Sequence, residues 1–284
     1  MTGLVELLPV AHGGTHPGGT AAGTWPLPIL VATLPMALYL AGVGRLHRSG
    51  RTWRTWRTTG FGLGLMLVAA ALSPAVEAAA ADARGHMVQH LLLGMYAPLA
   101  LALGAPMTLL LAALPQRSRR RVAAVLRTRP LHALTHVATA VVLSVGGLYL
   151  LYLTPLYALT THSELAHHLL HVHLLLAGYL FAWAVAGPDP APRRPGMAAR
   201  IAAVIAAGGA HDFLAQLLYS RAPHLPPGSG HSAVEMELAA QWMYYGGHLA
   251  DLAVLTALFA AWYRRTGRRL PAVPPASAAG LPLQ

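Results

Sequence analysis

The chain has 284 residues, of which 55% are hydrophobic and only 10% charged, and its mean hydropathy is +0.50. This composition excludes an ordinary soluble domain and indicates an integral membrane protein. The net charge of +11 comes from 20 basic residues, all arginines. It does not require a nucleic-acid partner, because arginine runs beside membrane spans act as topology signals and as contacts to anionic membrane lipid.

Seven apolar segments follow one another along the chain, and each approaches the roughly 20 residues that a helix needs to cross a bilayer. They are blocks of Leu, Ala and Val without the two-residue alternation of barrel strands. We therefore predict an all-α polytopic membrane protein, a bundle of seven transmembrane helices at 26–44, 59–81, 86–114, 131–153, 164–187, 198–219 and 237–263. The domains are then an outer tail (1–25), the transmembrane domain (26–265) and a disordered cytoplasmic tail (266–284).

The arginines predict the orientation of this bundle. Eighteen of the 20 fall in the loops after the first, third and fifth segments or after the last one. Only Arg84 and Arg221 lie on the opposite side. Since positive charge stays on the cytoplasmic side of short loops, we expect the N-terminus outside and the C-terminus in the cytoplasm.

The histidines have the opposite distribution. With this topology, 13 of the 16 lie on the outer side or in the outer half of a span, and the exceptions are His47, His132 and His136. Avoidance of inner bases cannot explain this, because the inner side holds the arginines. Imidazole is the commonest metal ligand in proteins, so the outer face is predicted to bind metal.

Helical spacing shows which of these histidines can converge. His86 and His90 are four residues apart on the third span, and so are His167 and His171 on the fifth, which places each pair on one helix face. His168 adds to the stripe on the fifth span. Two helices with such pairs at one membrane level indicate a metal site.

Further ionisable residues lie deeper in the last two spans. Ionisable side chains at depth are costly and face the bundle interior or a water-filled cavity. We therefore expect His248 and Asp251 to share the cavity of the other histidines, although an interhelical polar cluster is the alternative. The complete set of predicted metal ligands is His86, His90, His167, His168, His171, His211, Asp212, His248 and Asp251.

The ligand types limit the metal. The chain has no cysteine, so thiolate sites are excluded. Histidine with methionine suits copper, and histidine with carboxylate suits zinc or iron. We predict copper, with zinc or haem as alternatives. A two-metal membrane enzyme, a haem protein with His90 and His171 or His248 as axial ligands, and a structural or transport role remain competing interpretations.

Four motifs together resemble one family. They are "HMVQHLLLGMYAPLALALGAPMTLLLAALP" from His86, "ELAHHLLHVHLLLAGYLFAWAVAGPDP" from Glu164, "HDFLAQLLYS" from His211 and "AAQWMYYGGHLADL" from Ala239. The histidine pairs that open two spans, the Gly-x-Pro break and the Asp-containing later spans resemble the CtaG-type cytochrome c oxidase assembly factors. The resemblance covers about residues 25–265.

This resemblance implies a function. Members of the family are seven-helix proteins of the bacterial plasma membrane that are needed to make active haem-copper oxidase and have a role in supplying it with copper. The expected protein is therefore an assembly factor and not an enzyme. Its expected partners are cytochrome c oxidase subunits, copper donors on the outer face and membrane lipid. The resemblance bears on His86, His90, His167, His171, Asp212, His248 and Asp251.

The orientation can be tested with two reporters fused after Gln284. We expect a green fluorescent reporter to fluoresce and an alkaline phosphatase reporter to be inactive, because only the first matures in the cytoplasm. A phosphatase that is active at this position would place the C-terminus outside and would reverse the depth assigned to the histidines.

Overall fold

A computed structural model describes residues 25–190 and 194–267 of the chain. This part is helical throughout and contains no strand, so the all-α prediction is confirmed for it. Nearly all of the two predicted tails lies outside the described residues. The helices are α1 Pro26–Arg48, α2 Thr55–Ala71, α3 Pro74–Ala79, α4 Ala83–Leu91, α5 Ala97–Leu103, α6 Pro106–Ala113, α7 Gln116–Leu126, α8 Arg129–Leu134, α9 Val137–Val141, α10 Gly147–Leu153, α11 Leu156–His162, α12 Glu164–Val185, α13 Met197–Ser220 and α14 Ala233–Gly267.

Four helices of the described chain are long and apolar enough to cross a membrane: α1, the run Ala83–Ala113, α12 and α13. A fifth candidate is the pair Val137–Leu153 and Leu156–His162, whose halves meet at an angle of 79°. Of the other two predicted spans, α2 has 17 residues, and α14 has 35 residues interrupted by polar side chains. The structure thus gives four to five candidate spans, and the count of seven stays a prediction.

The second apolar segment ends earlier than predicted. Helix α2 ends at Ala71, not at residue 81, and α3 begins at Pro74. Proline has no N–H and forces the preceding residue into an extended conformation. Ser73 is accordingly extended, with ψ of 149°, and its hydroxyl caps α3. The consequence is a separate short helix that carries Glu77.

The third span departs from a regular α-helix at two places. Between α4 and α5 the chain forms a π-helical segment, Leu92–Tyr96, directly after His90. Between α5 and α6 the helix breaks at Ala105, whose φ of 54° is left-handed. A second π-segment, Val142–Gly146, joins α9 to α10 in the next span. Such segments occur mostly as single turns inside α-helices and frequently at functional sites.

The break before α6 is held by two side chains from elsewhere in the chain. The hydroxyl of Tyr39 donates to the carbonyl of Gly104 at 2.7 Å. The carboxylate of Asp189, which is fully buried, accepts the backbone N–H groups of Met107 at 3.1 Å and Thr108 at 2.7 Å, and also the Thr108 hydroxyl at 2.5 Å. Burial raises the pKa of Asp189 above its ordinary value. This acid therefore caps α6 from 81 residues away.

The two ends of the described helix bundle differ in their side chains. The histidine-rich end is the one at which His86, His162 and His167 lie, together with α3 and the loop before α14. The arginine-rich end is the opposite one, where α1 ends, α6 leads into α7, and α13 begins. The candidate ligands belong to the first end and to the interior below it.

The Asp189 cap can be tested by substitution. We expect Asp189→Ala to lower the thermal unfolding midpoint of the detergent-purified protein, because two buried N–H groups lose their acceptor at a cost of about 1–3 kcal/mol each. Asp189→Asn keeps one acceptor oxygen and should lose less. Equal midpoints for the wild type and Asp189→Ala would show that the carboxylate does not stabilise the break.

Candidate metal centre

A cavity of about 890 Å³ opens at the histidine-rich end, and we call it the outer cavity. The cavity is lined by residues of α3, α4, α11 and α12 and of the loop before α14. Its ligand-capable side chains are Glu77, His86, His162, Glu164, His167, His168 and His231. Of the histidine stripe on the fifth span, His167 and His168 thus line one wide opening, and His171 does not.

Three ligand groups converge beside this cavity, and we call them the outer site. One ligand atom each from Glu77, His167 and His171 lies within 4.8 Å of the other two. The rings of His167 and His171 are 4.2 Å apart between centroids. His171 is only 5% exposed, and neither of its ring nitrogens has a hydrogen-bond partner. The imidazole nitrogens are therefore free to bind an ion.

Local sequence explains how these groups meet. The Ser163 hydroxyl accepts the N–H of Ala166 at 3.3 Å and starts α12, so that His167 and His171 follow one turn apart on the same face. Glu77 comes from α3, the helix that Pro74 separates from α2. The prediction missed Glu77 because that segment was read as the end of a span. The helix-start signal Ser-Pro followed by an acid could have found it.

His86 lines the outer cavity beside the three groups and is held by aromatic neighbours. Its ring lies 4.9 Å from that of Tyr157, edge to face, and the Tyr157 hydroxyl is 2.9 Å from Nε2 of His231. His231 in turn lies 3.8 Å from the carboxylate of Glu235. This chain of contacts ties the loop before α14 to α11 and fixes one side of the opening.

The methionine of the His-Met-x-x-His motif is buried, and its sulfur already has a hydrogen-bond partner. Met87 is 1% exposed, and the hydroxyl of Tyr152 donates to its sulfur at 3.8 Å. The thioether therefore packs between helices instead of facing the outer cavity.

His90, His211 and Asp251 line a second, narrower cavity of about 40 Å³, which we call the deep cavity. The rings of His90 and His211 are 6.0 Å apart between centroids, with their planes 14° apart. Asp251 therefore shares a cavity with His90 of the third span, whereas the expected histidines of the fifth span do not line it.

His248 lies elsewhere. Its Nε2 is 3.4 Å from the carboxylate of Asp212, and the two side chains are 48% and 26% exposed. Its Nδ1–H donates to the carbonyl of Tyr244 at 2.7 Å. The expectation that His248 faces the interior is thus wrong, because α14 is rotated so that its neighbour Gly247 packs against His211. The nine predicted ligands fall into an outer group, a deep group and this exposed pair.

Together, the apolar helices and the histidine-lined opening define a membrane-type helical protein with a candidate metal site at one end. The chain belongs to the cytochrome c oxidase caa3 assembly factor family, whose model matches residues 37–265. The resemblance read from the motifs is confirmed. The description of this family is assembly of the caa3-type cytochrome c oxidase.

Mycobacterial proteins are among the relatives. An uncharacterised protein of Mycobacterium leprae is 29% identical over 265 residues, which are 86% of this chain and 40% of that protein. Uncharacterised proteins of Mycobacterium bovis and Mycobacterium tuberculosis are each 32% identical over 200 residues, or 66% of this chain and 30% of those proteins. The chain thus spans less than half the length of these curated relatives. No solved structure gives a significant match.

Proposed function

We propose that the chain binds copper at the outer site and passes it to cytochrome c oxidase during assembly. The observation that carries this proposal is the convergence of Glu77, His167 and His171 within 4.8 Å beside a wide opening. The copper ion is cargo here, so the protein acts as a carrier and not as an enzyme.

The geometry suits a site that both holds and releases an ion. Structural metal sites are closed by four protein ligands, whereas sites that exchange a ligand keep a position open. Glu77 and His167 line the outer cavity, and His171 lies one turn below them. An acceptor protein can therefore replace the ligands one at a time from the side of the opening.

Copper is the metal that fits both the ligand types of the outer site and the oxidase that the family assembles. Imidazole binds copper and zinc well, and the chain offers no thiolate to compete. The enzyme that the family assembles is a haem-copper oxidase, which needs copper as a building block. The predicted orientation places the outer cavity outside the cytoplasm, where copper donors and the oxidase subunits would meet it at the bacterial plasma membrane.

The competing functions receive less support. A two-metal membrane enzyme of the clustered-histidine type needs about eight histidines at one level, while the ligand group found among the described residues contains two histidines and one glutamate. A haem protein needs space for a macrocycle beside its axial ligands. The deep cavity beside His90 is about 40 Å³, far below the roughly 300 Å³ of ordinary ligand pockets.

The copper proposal is tested by removing both imidazoles of the outer site. We expect His167→Ala combined with His171→Ala to weaken copper(I) binding to the purified protein at this site more than about 100-fold, because the loss of even one supporting group around a metal costs 10–100-fold. The measurement is competition with a chromophoric copper(I) chelator. In cells, oxidase activity should fall while the protein accumulates normally.

The matched control is His132→Ala combined with His136→Ala at the arginine-rich end. These two residues belong to α8 and the cap of α9, away from the outer cavity. We expect copper binding to be unchanged. Copper(I) binding at the outer site that is unchanged in the outer variant, or an equal loss in the control, would contradict the proposal.

The carboxylate gives a separate prediction about the oxidation state of the metal. We expect Glu77→Gln to weaken binding of zinc(II) or copper(II) about tenfold or more, and to weaken copper(I) binding much less, because the softer ion depends less on a carboxylate oxygen. Competition titrations with each ion would show this difference. An equal loss for both ions would assign Glu77 a positioning role instead.

A further inference from the structure

The deep cavity is a separate compartment from the outer cavity. The two cavities have no lining residue in common. Its wall comes from α12, α13, α14 and the two spans that contain the π-segments. Counting 1.5 Å per residue along the helix, His90 lies about 10 Å inside the start of α4 at Ala83. An ion at this depth would be removed from bulk water.

The polar atoms that face this cavity lack partners. His90 and His211 are 2% and 4% exposed, and all four of their ring nitrogens are without a hydrogen-bond partner in the protein. Buried polar groups normally have a partner, and an orphaned one is costly. A cavity of about 40 Å³ exceeds the roughly 10–15 Å³ that one water molecule needs. The cavity can therefore hold a small occupant that binds the imidazoles.

Two glycines keep this space open. A Cβ atom at Gly208 would lie 2.5 Å from Oδ2 of Asp251, and one at Gly247 would lie 2.5 Å from Cε1 of His211. Neither position can carry a larger residue without displacing a group of the cavity wall. Gly209, the next residue on α13, has nothing within 4 Å of such an atom.

Both π-segments contribute to the same wall. The first supplies Gly94 and Met95, and the second supplies Ser144 and Val145. Each segment is an interruption of the α-helical pattern inside a candidate span. Their meeting at one cavity, on two different helices, is typical of a functional site.

We propose that the deep cavity is a second metal site, which holds copper(I) between His90 and His211, with Met95 and Asp251 in its wall. Two imidazoles and a thioether are ligands that copper(I) favours, and the carboxylate balances its charge. The choice of copper rests on the function proposed above, whereas the existence of a cation site rests on the cavity itself.

The position of His90 suggests how the two sites communicate. His86 lines the outer cavity and His90 lines the deep one, and they are one turn apart on α4. The step of four residues from His86 to His90 corresponds to about 6 Å along the helix axis. Within this proposal, His86 and His90 offer successive imidazole ligands to an ion that moves between the two sites.

The experiment is an anaerobic copper(I) titration of the full chain in detergent, with a chromophoric chelator as competitor. We expect the wild type to bind about two equivalents, one for each site, since each bound ion needs its own deprotonated ligand set. Gly208→Ala puts a Cβ 2.5 Å from Oδ2 of Asp251, so it displaces that carboxylate and leaves both imidazoles in place. It should lose one equivalent, whereas Gly209→Ala on the same helix should retain both.

Ligand variants separate the two sites. His211→Ala should remove only the deep equivalent, and His167→Ala with His171→Ala should remove only the outer one. Thermal unfolding midpoints check that each variant is folded. If Gly208→Ala does not fold, the copper(I) stoichiometry of His211→Ala, compared with that of Gly209→Ala, still shows whether the deep cavity binds an ion.

The outcomes distinguish failure of this inference from failure of the proposed function. One equivalent that is lost in the outer variant but kept in His211→Ala would overturn the deep site and leave the carrier function standing. One equivalent that is lost in His211→Ala but kept in the outer variant would overturn the outer site and support the deep one. A wild type that binds no copper(I) would overturn both, and the deep cavity would then hold only water.

Discussion

A helix in a lipid bilayer has to satisfy its own backbone hydrogen bonds, because no water is present to do so. Four places where this chain leaves the regular helix are matched to a compensating group or to a cavity. The break at Ala105 has the buried carboxylate of Asp189 as its cap. The end of α2 has the Ser73 cap of α3. The two π-segments have no such cap and instead border the deep cavity. The interruptions of the helices thus lie either at capped breaks or at the wall of the deep cavity.

The helix pattern and part of the candidate site could be predicted from the sequence, since both depend on local spacing. The pair His167 and His171 follows directly from four-residue periodicity on one face. The partner of this pair could not be read in the same way, because Glu77 depends on how α3 folds over the opening. The exposure of His248 and the burial of His211 depend on the rotation of α14 against α13, at a contact where Gly247 lies against His211. No pattern within one helix contains that information.

The two groups of histidines differ in how much space another molecule has to approach them. The outer group lies beside an opening of about 890 Å³, wide enough for ligands of another protein to reach an ion if one is bound there. The deep group surrounds about 40 Å³, which admits an ion but no second protein. One set of imidazoles is thus suited to exchange and the other to retention, although the same short motif on α4 contributes to both. Motif spacing alone does not separate these roles.

The length of α14 has a consequence for the shape of the protein in its membrane. At 1.5 Å per residue, its 35 residues extend about 52 Å. The hydrocarbon core of a bilayer is only about 30 Å thick, and even a tilt of about 40° leaves a projection of about 40 Å. Part of this helix therefore stands in the headgroup layer or in water. Because α14 is one continuous helix, the part outside the hydrocarbon keeps a fixed direction relative to the part packed in the bundle.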